Sequence, residues 1–141
     1  MTADEIALVR QGFAQIAPHA ERIGLAFYER LFAADPSLRP LFRADIRTQV
    51  GHLMKALTMV VRSLDNLAPI LGHIQALGRR HAAYGVEARH FATVAGALLA
   101  TLEAEMAEAF TAEMRAAWVS AYTILADAMM AAMREAMPAA A

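Results

Sequence analysis

Residues 66–86 read NLAPILGHIQALGRRHAAYGV, and this stretch decides the fold. Asp65-Asn66 is predicted to cap the start of a helix, and the pair Tyr84-Gly85 to end it. At about 100° per residue, four apolar side chains fall within about 40° of His81 on the helical wheel: Leu67, Ile70, Ile74 and Leu77. The stretch therefore predicts an amphipathic helix with His81 at the centre of its apolar stripe.

A histidine in this position has two interpretations. A cation near a helix C-terminus is favourable because it faces the negative end of the helix dipole, and a buried imidazole with partners on both nitrogens is an ordinary core residue. Alternatively, a backbone carbonyl holds one ring nitrogen and a metal ion binds the other. Taken alone, His81 leaves this choice open.

The remainder of the chain also predicts helices. Thr2 and Glu5 have the spacing of a capping box, and Thr111 is predicted to open the last helix. With the helix that ends near Tyr84, the predicted helices cover roughly 2–18, 19–34, 36–42, 46–64, 66–84, 88–107 and 111–136. No linker or repeat divides the chain, so we predict one all-α domain over residues 1–141, with a frayed tail at about 137–141.

Composition excludes several classes of function. The chain has no cysteine, which excludes disulfides, thiolate metal sites and thiol nucleophiles. The net charge of −1 gives no electrostatic case for nucleic acid or an anionic membrane. The N-terminal segment carries charged residues and so does not resemble a secretion signal. The longest uncharged stretches are too short to cross a bilayer. We therefore expect a cytoplasmic protein without nucleic-acid or membrane partners.

The helix predicted over 46–64 carries an unusual polar residue. Its apolar stripe contains Ile46, Leu53, Leu57, Val60 and Leu64, and Gln49 lies on the same stripe, one turn before Leu53. Gln49 is either a partly hydrated residue near the helix start or a polar group that faces a site. His52 falls on the flank of the stripe, where a residue that reaches solvent is the default interpretation.

The helix predicted over 19–34 places a tyrosine in the interior. Tyr28 shares one line of the wheel with Gly24 and Phe32, beside the line of Phe27 and Leu31. We predict that Tyr28 is buried and that its hydroxyl needs a partner. Since glycine inside a helix costs about 1 kcal/mol relative to alanine, Gly24 predicts a close helix crossing.

Together these residues resemble the globins, in particular the bacterial single-domain haemoglobins that look like the haem domain of flavohaemoglobins and also resemble neuroglobin. The resemblance covers the whole length and rests on FYERLFAADPSLRPLF (27–42), residues 66–86 quoted above, and FTAEMRAAWVSAY (110–122). It implies a globin fold of six to seven helices around a pocket for haem b, which is iron protoporphyrin IX.

The resemblance also assigns roles to individual residues. His81 matches the proximal histidine that ligates haem iron, and Phe42 matches the phenylalanine that packs on the haem. Tyr28 and Gln49 match the polar residues of the distal side. The other residues expected to contact the cofactor are Leu53, Leu77, Tyr84, Val86 and Phe91, with Arg80 and His52 near the haem propionates or in solvent.

The position of the distal residue has an alternative. Gln49 lies 32 residues before His81, the spacing of neuroglobin-like and bacterial members, whereas His52 lies 29 residues before it, the spacing of myoglobin-type globins. A distal His52 would hydrogen-bond the ligand or coordinate iron itself. The stripe favours Gln49, because Leu53 one turn later then faces the haem.

Two departures from the flavohaemoglobin pattern bear on function. In that pattern, a tyrosine and a glutamate increase electron donation by the proximal histidine. Here Phe91 replaces the tyrosine, and Met133, fifteen residues after Trp118, replaces the glutamate. Their absence favours reversible binding of dioxygen, and of nitric oxide or carbon monoxide, over oxidative enzyme chemistry. We also expect no flavin or nicotinamide site within these residues.

Two other functions stay open. One is a nitric oxide dioxygenase that depends on an external reductase. The other is a sensory or haem-free interaction module. The expected partners are a diatomic ligand and, for the enzyme, a reductase; the expected oligomeric state is a monomer or homodimer.

Overall fold

The computed structural model describes residues 1–136, which form six α-helices, four short 3₁₀ segments and no strand. The helices are α1 (Ala3–Ile16), α2 (Ala20–Ala34), α3 (Ile46–Arg62), α4 (Leu71–Ala83), α5 (His90–Met106) and α6 (Ala112–Ala136). The 3₁₀ segments are Ala17–His19, Pro36–Leu41, Ala68–Ile70 and Ala107–Ala109. The all-α prediction is confirmed, and the tail predicted at 137–141 lies outside the described residues.

Two predicted helix starts are confirmed in detail. At α1, the Glu5 backbone N–H donates to Thr2 Oγ1 at 3.1 Å, and the Thr2 N–H donates to the Glu5 carboxylate at 3.0 Å. At α6, the Met114 N–H donates to Thr111 Oγ1 at 3.1 Å. Each bond satisfies a backbone donor that has no partner within its own helix.

The predicted cap at Asp65-Asn66 is wrong. The helix starts later, through the 3₁₀ segment Ala68–Ile70, and α4 itself begins at Leu71 without a side-chain cap. The Asp65 carboxylate instead accepts a hydrogen bond from Arg10 Nη2 of α1 at 2.9 Å. Asp65 therefore forms a tertiary ion pair with Arg10 instead of capping the helix, as the local pattern predicted.

The interior consists of three apolar clusters, and α5 contributes to all of them. Leu102 and Met106 join the cluster of α1 and α6 around Trp118, Ala97 joins that of α2 and α3, and Phe91 joins that of α4 and α6. α5 is therefore the central helix, with the other helices arranged around it.

α6 is the described helix that is long and apolar enough, by length and composition alone, to cross a membrane. Within the fold it packs against α4, α1 and α5. Its buried side chains include Trp118, Met129 and Met133. An apolar helix of this length is equally expected when a helix contributes to two core clusters.

Gly24 and Gly78 are among the glycines that lie at close helix crossings. A Cβ added at Gly24 of α2 would lie 2.5 Å from Val50 Cγ1 of α3, which confirms the crossing predicted there. A Cβ added at Gly78 of α4 would lie 2.5 Å from the Met129 carbonyl oxygen and 3.0 Å from its Cα. The second crossing fixes α4 directly against the backbone of α6.

We expect Gly78→Ala to destabilise the protein by about 1–3 kcal/mol, because backbone atoms of α6 cannot move aside as a flexible side chain can. Gly96→Ala in α5 is the matched control, since a Cβ there has no neighbour within 4 Å. Alanine should stabilise that helix by about 0.5–1 kcal/mol. Denaturant unfolding measures both changes, and a Gly78→Ala protein as stable as the control would contradict the close crossing.

Candidate functional site

The candidate site lies between α3 and α4. α3 packs against α2 and α1, α4 packs against α6, and the two helices scarcely contact one another. The first half of α5 lies behind both of them, because its residues belong to the α3 cluster and to the α4 cluster. Because α3 and α4 scarcely contact one another, we infer a cleft between them that has the two helices as its walls.

The walls of this cleft are apolar but only half-buried. The residues that share this property are Phe42, Leu53, Leu57, Leu77, Val86 and Val94. Side chains on the inner face of a helix are normally covered by the protein itself. Apolar residues that face inward and keep partial exposure fit the contact surface of a flat apolar group.

His81 has one ring nitrogen held in place. Its Nδ1 lies 2.6 Å from the Leu77 carbonyl oxygen, one turn earlier on α4. Since a carbonyl oxygen only accepts, Nδ1 carries the proton and the lone pair is on Nε2. A fixed Nδ1–H and an available Nε2 are the arrangement of a histidine that binds a metal ion.

The surroundings of His81 favour its neutral form. Burial lowers the pKa of the imidazole, the hydrogen bond to Leu77 opposes this, and the positive charge of Arg80 lowers the pKa further. The net direction is below the ordinary value, so the ring is neutral at pH 7. A neutral ring is the form that ligates a metal.

The chain turns away directly after His81. The Val86 N–H donates to the His81 carbonyl at 3.0 Å, and Gly85 adopts a φ of 93°. Only glycine takes this left-handed conformation without strain, which explains the Tyr84-Gly85 signal in the sequence. α4 therefore ends at Ala83, and His81 lies in the last turn of this helix.

Tyr28 reaches the opposite side of the cleft from α2. It is 4% exposed, as predicted, and burial raises the pKa of its hydroxyl to about 12. The side chain of Gln49 lies close enough to hydrogen-bond the hydroxyl and oppose this rise. Tyr28 is therefore a protonated hydrogen-bond donor at neutral pH, beside a second polar group.

Aromatic contacts hold the Tyr28 ring in position. Its centroid lies 5.0 Å from that of Phe27, 5.8 Å from Phe32 and 5.5 Å from Phe42. Phe42 also lies edge-on to Phe32 at 5.3 Å. Stacked and edge-to-face pairs of this kind fix ring orientation, so the hydroxyl is oriented by packing rather than by a hydrogen bond to backbone.

The two alternatives for the distal position differ in burial. Gln49 is half-buried beside Tyr28, whereas His52 of α3 is exposed. Arg80 of α4 and Tyr84, which follows α4, are also exposed. The candidate residues thus divide into a buried or half-buried group that contains Tyr28, Gln49 and His81 and an exposed group that contains the other three.

The two departures from the flavohaemoglobin pattern lie in the same apolar cluster. Phe91 and Met133 are both buried there, with Ile74 and Met129. The Tyr122 hydroxyl donates to the Phe91 carbonyl at 2.7 Å and so ties the start of α5 to α6. Both positions are therefore occupied by buried apolar side chains instead of a phenol and a carboxylate.

Sequence reasoning missed the role of His90. This residue is 4% exposed, and the Glu87 N–H donates to its Nδ1 at 2.9 Å. Its position three residues after Glu87 is the signal that could have revealed it, because a side chain at that distance can reach back to a backbone N–H of the preceding turn. α5 begins at His90, two residues after the predicted Ala88, and its N-cap residue Arg89 makes no side-chain cap.

The donor set of residues 1–136 restricts the metal chemistry. No three side chains among His, Cys, Asp and Glu lie together as a metal cluster in this part of the chain. A haem iron needs only one protein ligand because the porphyrin supplies four nitrogens. A single His81 in an apolar cleft fits that requirement.

Comparisons with known proteins identify the family of the chain. The globin family model matches residues 25–129. A flavohemoprotein of Bordetella pertussis is 32% identical over 139 residues, which are 96% of this chain and 34% of that protein. A neuroglobin of Dissostichus mawsoni is 29% identical over 86% of each chain. The chain thus spans about a third of the length of the flavohemoprotein relatives.

Solved structures show the same fold. An engineered carbene transferase, made from a Rhodothermus marinus protein provisionally named a nitric oxide dioxygenase, superposes with a TM-score of 0.87 at 26% identity, covering 96% of this chain and 94% of that one. A bacterial globin from Campylobacter jejuni superposes with a TM-score of 0.84 at 19% identity, covering 95% and 97%. The family match over residues 25–129 and this likeness of fold lead to one conclusion: the chain belongs to the globin family.

Proposed function

We propose that the chain binds haem b through His81 and reversibly binds dioxygen or another diatomic ligand on the side of Tyr28 and Gln49. The observation that carries the proposal is the hydrogen bond from His81 Nδ1 to the Leu77 carbonyl at 2.6 Å. It leaves Nε2 of a neutral ring available in an apolar cleft. Family membership supports the same cofactor, since globins are haem proteins.

The lack of cysteine supports a b-type cofactor. Covalent attachment of haem through thioether bonds requires cysteines, and the chain has none. The group would therefore be held by contacts with Phe42, Leu53, Leu77, Val86 and Phe91 and by iron ligation. The exposed side chains of Arg80, His52 and Tyr84 would meet its polar edge.

Haem would supply a redox-active iron that can bind a diatomic ligand, and the residues around it would set how long the ligand stays. Tyr28 and Gln49 would donate hydrogen bonds to a partly charged dioxygen, each worth about 1.5–3 kcal/mol. Two such bonds make release slow. Slow release suits storage or scavenging better than rapid transport.

Phe91 and Met133 support reversible binding over oxidative chemistry. A carboxylate or phenol near the proximal histidine increases electron donation to iron and favours cleavage of the O–O bond. Here both positions are apolar and buried in one cluster. His81 therefore keeps the carbonyl of Leu77 as its hydrogen-bond acceptor on α4.

A nitric oxide dioxygenase is the second candidate. It is favoured by the flavohemoprotein relatives and by the provisional name of the Rhodothermus marinus protein. This activity needs an electron donor, so nitrate must form from nitric oxide over many turnovers when a reductase is supplied. The cytoplasmic location and the monomeric or homodimeric state expected from the sequence stay predictions.

Absorption spectroscopy of the purified protein tests the proposal. We expect one haem per chain with an intense Soret band, and a ferrous spectrum that changes with dioxygen and returns when dioxygen is removed. A chain that never shows a Soret band after haem is added would leave the haem-free interaction module as the better interpretation. Irreversible oxidation of the iron by dioxygen would contradict reversible binding, but the assignment of the cofactor would stand.

A further inference from the structure

His90, the first residue of α5, is the buried histidine of the chain. All five histidines lie within the described residues; His90 is 4% exposed, His81 is half-buried and the other three are exposed. Histidine is the side chain whose ordinary change of charge falls between about pH 5 and 8. A buried histidine to which the proposed function gives no role therefore needs an explanation of its own.

The hydrogen bond of His90 fixes the tautomer of its ring. The Glu87 backbone N–H donates to Nδ1 at 2.9 Å. Since a backbone N–H only donates, Nδ1 carries the lone pair, and the neutral ring carries its proton on Nε2. Nε2 is buried without a hydrogen-bond partner among residues 1–136. The neutral ring is thus held on one side only, by a bond in which it is the acceptor.

Protonation of the ring reverses the role of Nδ1. An imidazolium has an N–H on both nitrogens, so Nδ1 becomes a donor and faces the Glu87 N–H, which is also a donor. Two N–H groups cannot form a hydrogen bond with one another, so the 2.9 Å contact must open. A proton on His90 therefore deprives the Glu87 N–H of its acceptor.

Two carboxylates and one guanidinium lie around the ring in the described part of the chain. The Glu87 carboxylate lies 3.8 Å from Nε2 of His90. The hydrogen bond from the Ser37 hydroxyl lowers the pKa of the Asp35 carboxyl, at the end of α2, and the charges of Arg89 and the imidazole lower it further. Arg89 contacts both carboxylates, Glu87 at 3.0 Å and Asp35 at 3.8 Å, and opposes a positive charge on the ring. Because the carboxylates outnumber the guanidinium, a charged ring has acceptors to turn toward.

The connection between α4 and α5 is held by hydrogen bonds more than by burial. Residues 87–89 are exposed, and Val86 before them is half-buried. The Val86 N–H donates to the His81 carbonyl at 3.0 Å and ties the start of the connection to α4. The next N–H along the chain, that of Glu87, has the His90 ring as its acceptor. An exposed segment with few buried contacts opens readily once such a bond is lost.

We propose that His90 is a pH-sensitive latch on the connection between α4 and α5. The neutral ring holds the connection closed through Nδ1. A proton from solvent makes the ring a double donor, which releases the Glu87 N–H to water and turns toward the carboxylates of Glu87 and Asp35. The step binds one proton and changes no other covalent bond. The inference goes beyond the proposed function, because it involves none of the residues proposed to bind the cofactor or its ligand.

Amide hydrogen exchange of the full chain, resolved by NMR between about pH 8 and pH 5, tests the proposal. After correction for the intrinsic effect of pH, the protection of the Glu87 amide should fall at least about tenfold, while that of Leu102 in α5 stays within about threefold. The imidazole nitrogen signals of His90 should show a proton on Nε2 alone at the higher pH and on both nitrogens at the lower pH.

Three variants separate the latch from a general effect of acid. His90→Asn places an amide oxygen near the position of Nδ1 and does not take up a proton, so the Glu87 amide should stay protected at both pH values. His90→Phe keeps a ring without an acceptor, so this amide should exchange at both pH values as it does in the unmodified chain at low pH. His73→Asn on α4 is the matched control, because it removes an exposed histidine, and the transition at Glu87 should persist.

Several results would overturn the inference. The first is a Glu87 amide that stays equally protected at both pH values in the unmodified chain. A transition that persists in His90→Asn would have the same meaning, as would an equal loss of protection at Leu102, which indicates global unfolding. If His90→Phe fails to fold, the comparison of the unmodified chain with His90→Asn decides. None of these measurements requires bound haem, so failure of the latch and failure of the proposed function are distinguishable.

Discussion

Replacing His81 with glycine is expected to abolish the ferrous spectrum of the ligand-free holoprotein and to speed loss of haem many-fold. In the proposed site this side chain is the protein ligand of the iron, with Nδ1 fixed at 2.6 Å from the Leu77 carbonyl. Glycine removes the ligand and leaves room for free imidazole. Added imidazole should therefore restore the Soret band of the His81→Gly protein.

His73→Gly is the matched control for this experiment. It places the same glycine on the same helix, at an exposed position, and so carries the same helix cost of about 1 kcal/mol. Its spectrum and haem affinity should be unchanged. If His81→Gly retained a normal spectrum without imidazole, iron would have another ligand and the proximal assignment would be wrong.

The second large effect is expected for Tyr28→Phe. Phenylalanine keeps the contacts of the ring with Phe27, Phe32 and Phe42 and removes only the buried hydroxyl. A hydrogen bond worth about 1.5–3 kcal/mol to bound dioxygen is lost. Each 1.4 kcal/mol corresponds to about tenfold in affinity, so dioxygen should dissociate about tenfold faster or more.

Tyr122→Phe controls for the loss of a buried hydroxyl as such. Tyr122 donates to the Phe91 carbonyl at 2.7 Å, on the side of the cleft away from Tyr28. Its removal should cost about 1 kcal/mol of stability and leave dioxygen dissociation within about twofold. Flash photolysis and stopped-flow mixing measure the rates. An unchanged dissociation rate in Tyr28→Phe would place its hydroxyl outside the ligand site.

Much of the site could be predicted because it lies on periodic helices. The wheel places His81 on the apolar stripe of one helix and Gln49 on that of another, and both side chains are half-buried in the structure. Burial of Tyr28 followed from the same periodicity. The resemblance added the link between these residues, which helical spacing alone does not contain.

Other features could not be predicted because they depend on tertiary contacts. Asp65 has the sequence pattern of a helix cap, but its carboxylate accepts a hydrogen bond from Arg10, 55 residues earlier in the chain. The shared cluster of Phe91 and Met133 requires α5 and α6 to meet at those positions. The half-burial of Leu53 and Leu77 depends on the distance between α3 and α4. The local sequence of neither helix determines that distance.

The central place of α5 has a consequence for how the molecule opens and closes. A helix that supplies residues to three clusters cannot melt without removing one side of each of them. Partial unfolding that leaves the rest of the molecule native is therefore restricted to the outer segments. We expect the backbone amides of Ala97 to Leu102 to exchange with solvent most slowly. The three clusters behave as one cooperative unit because they share a single helix.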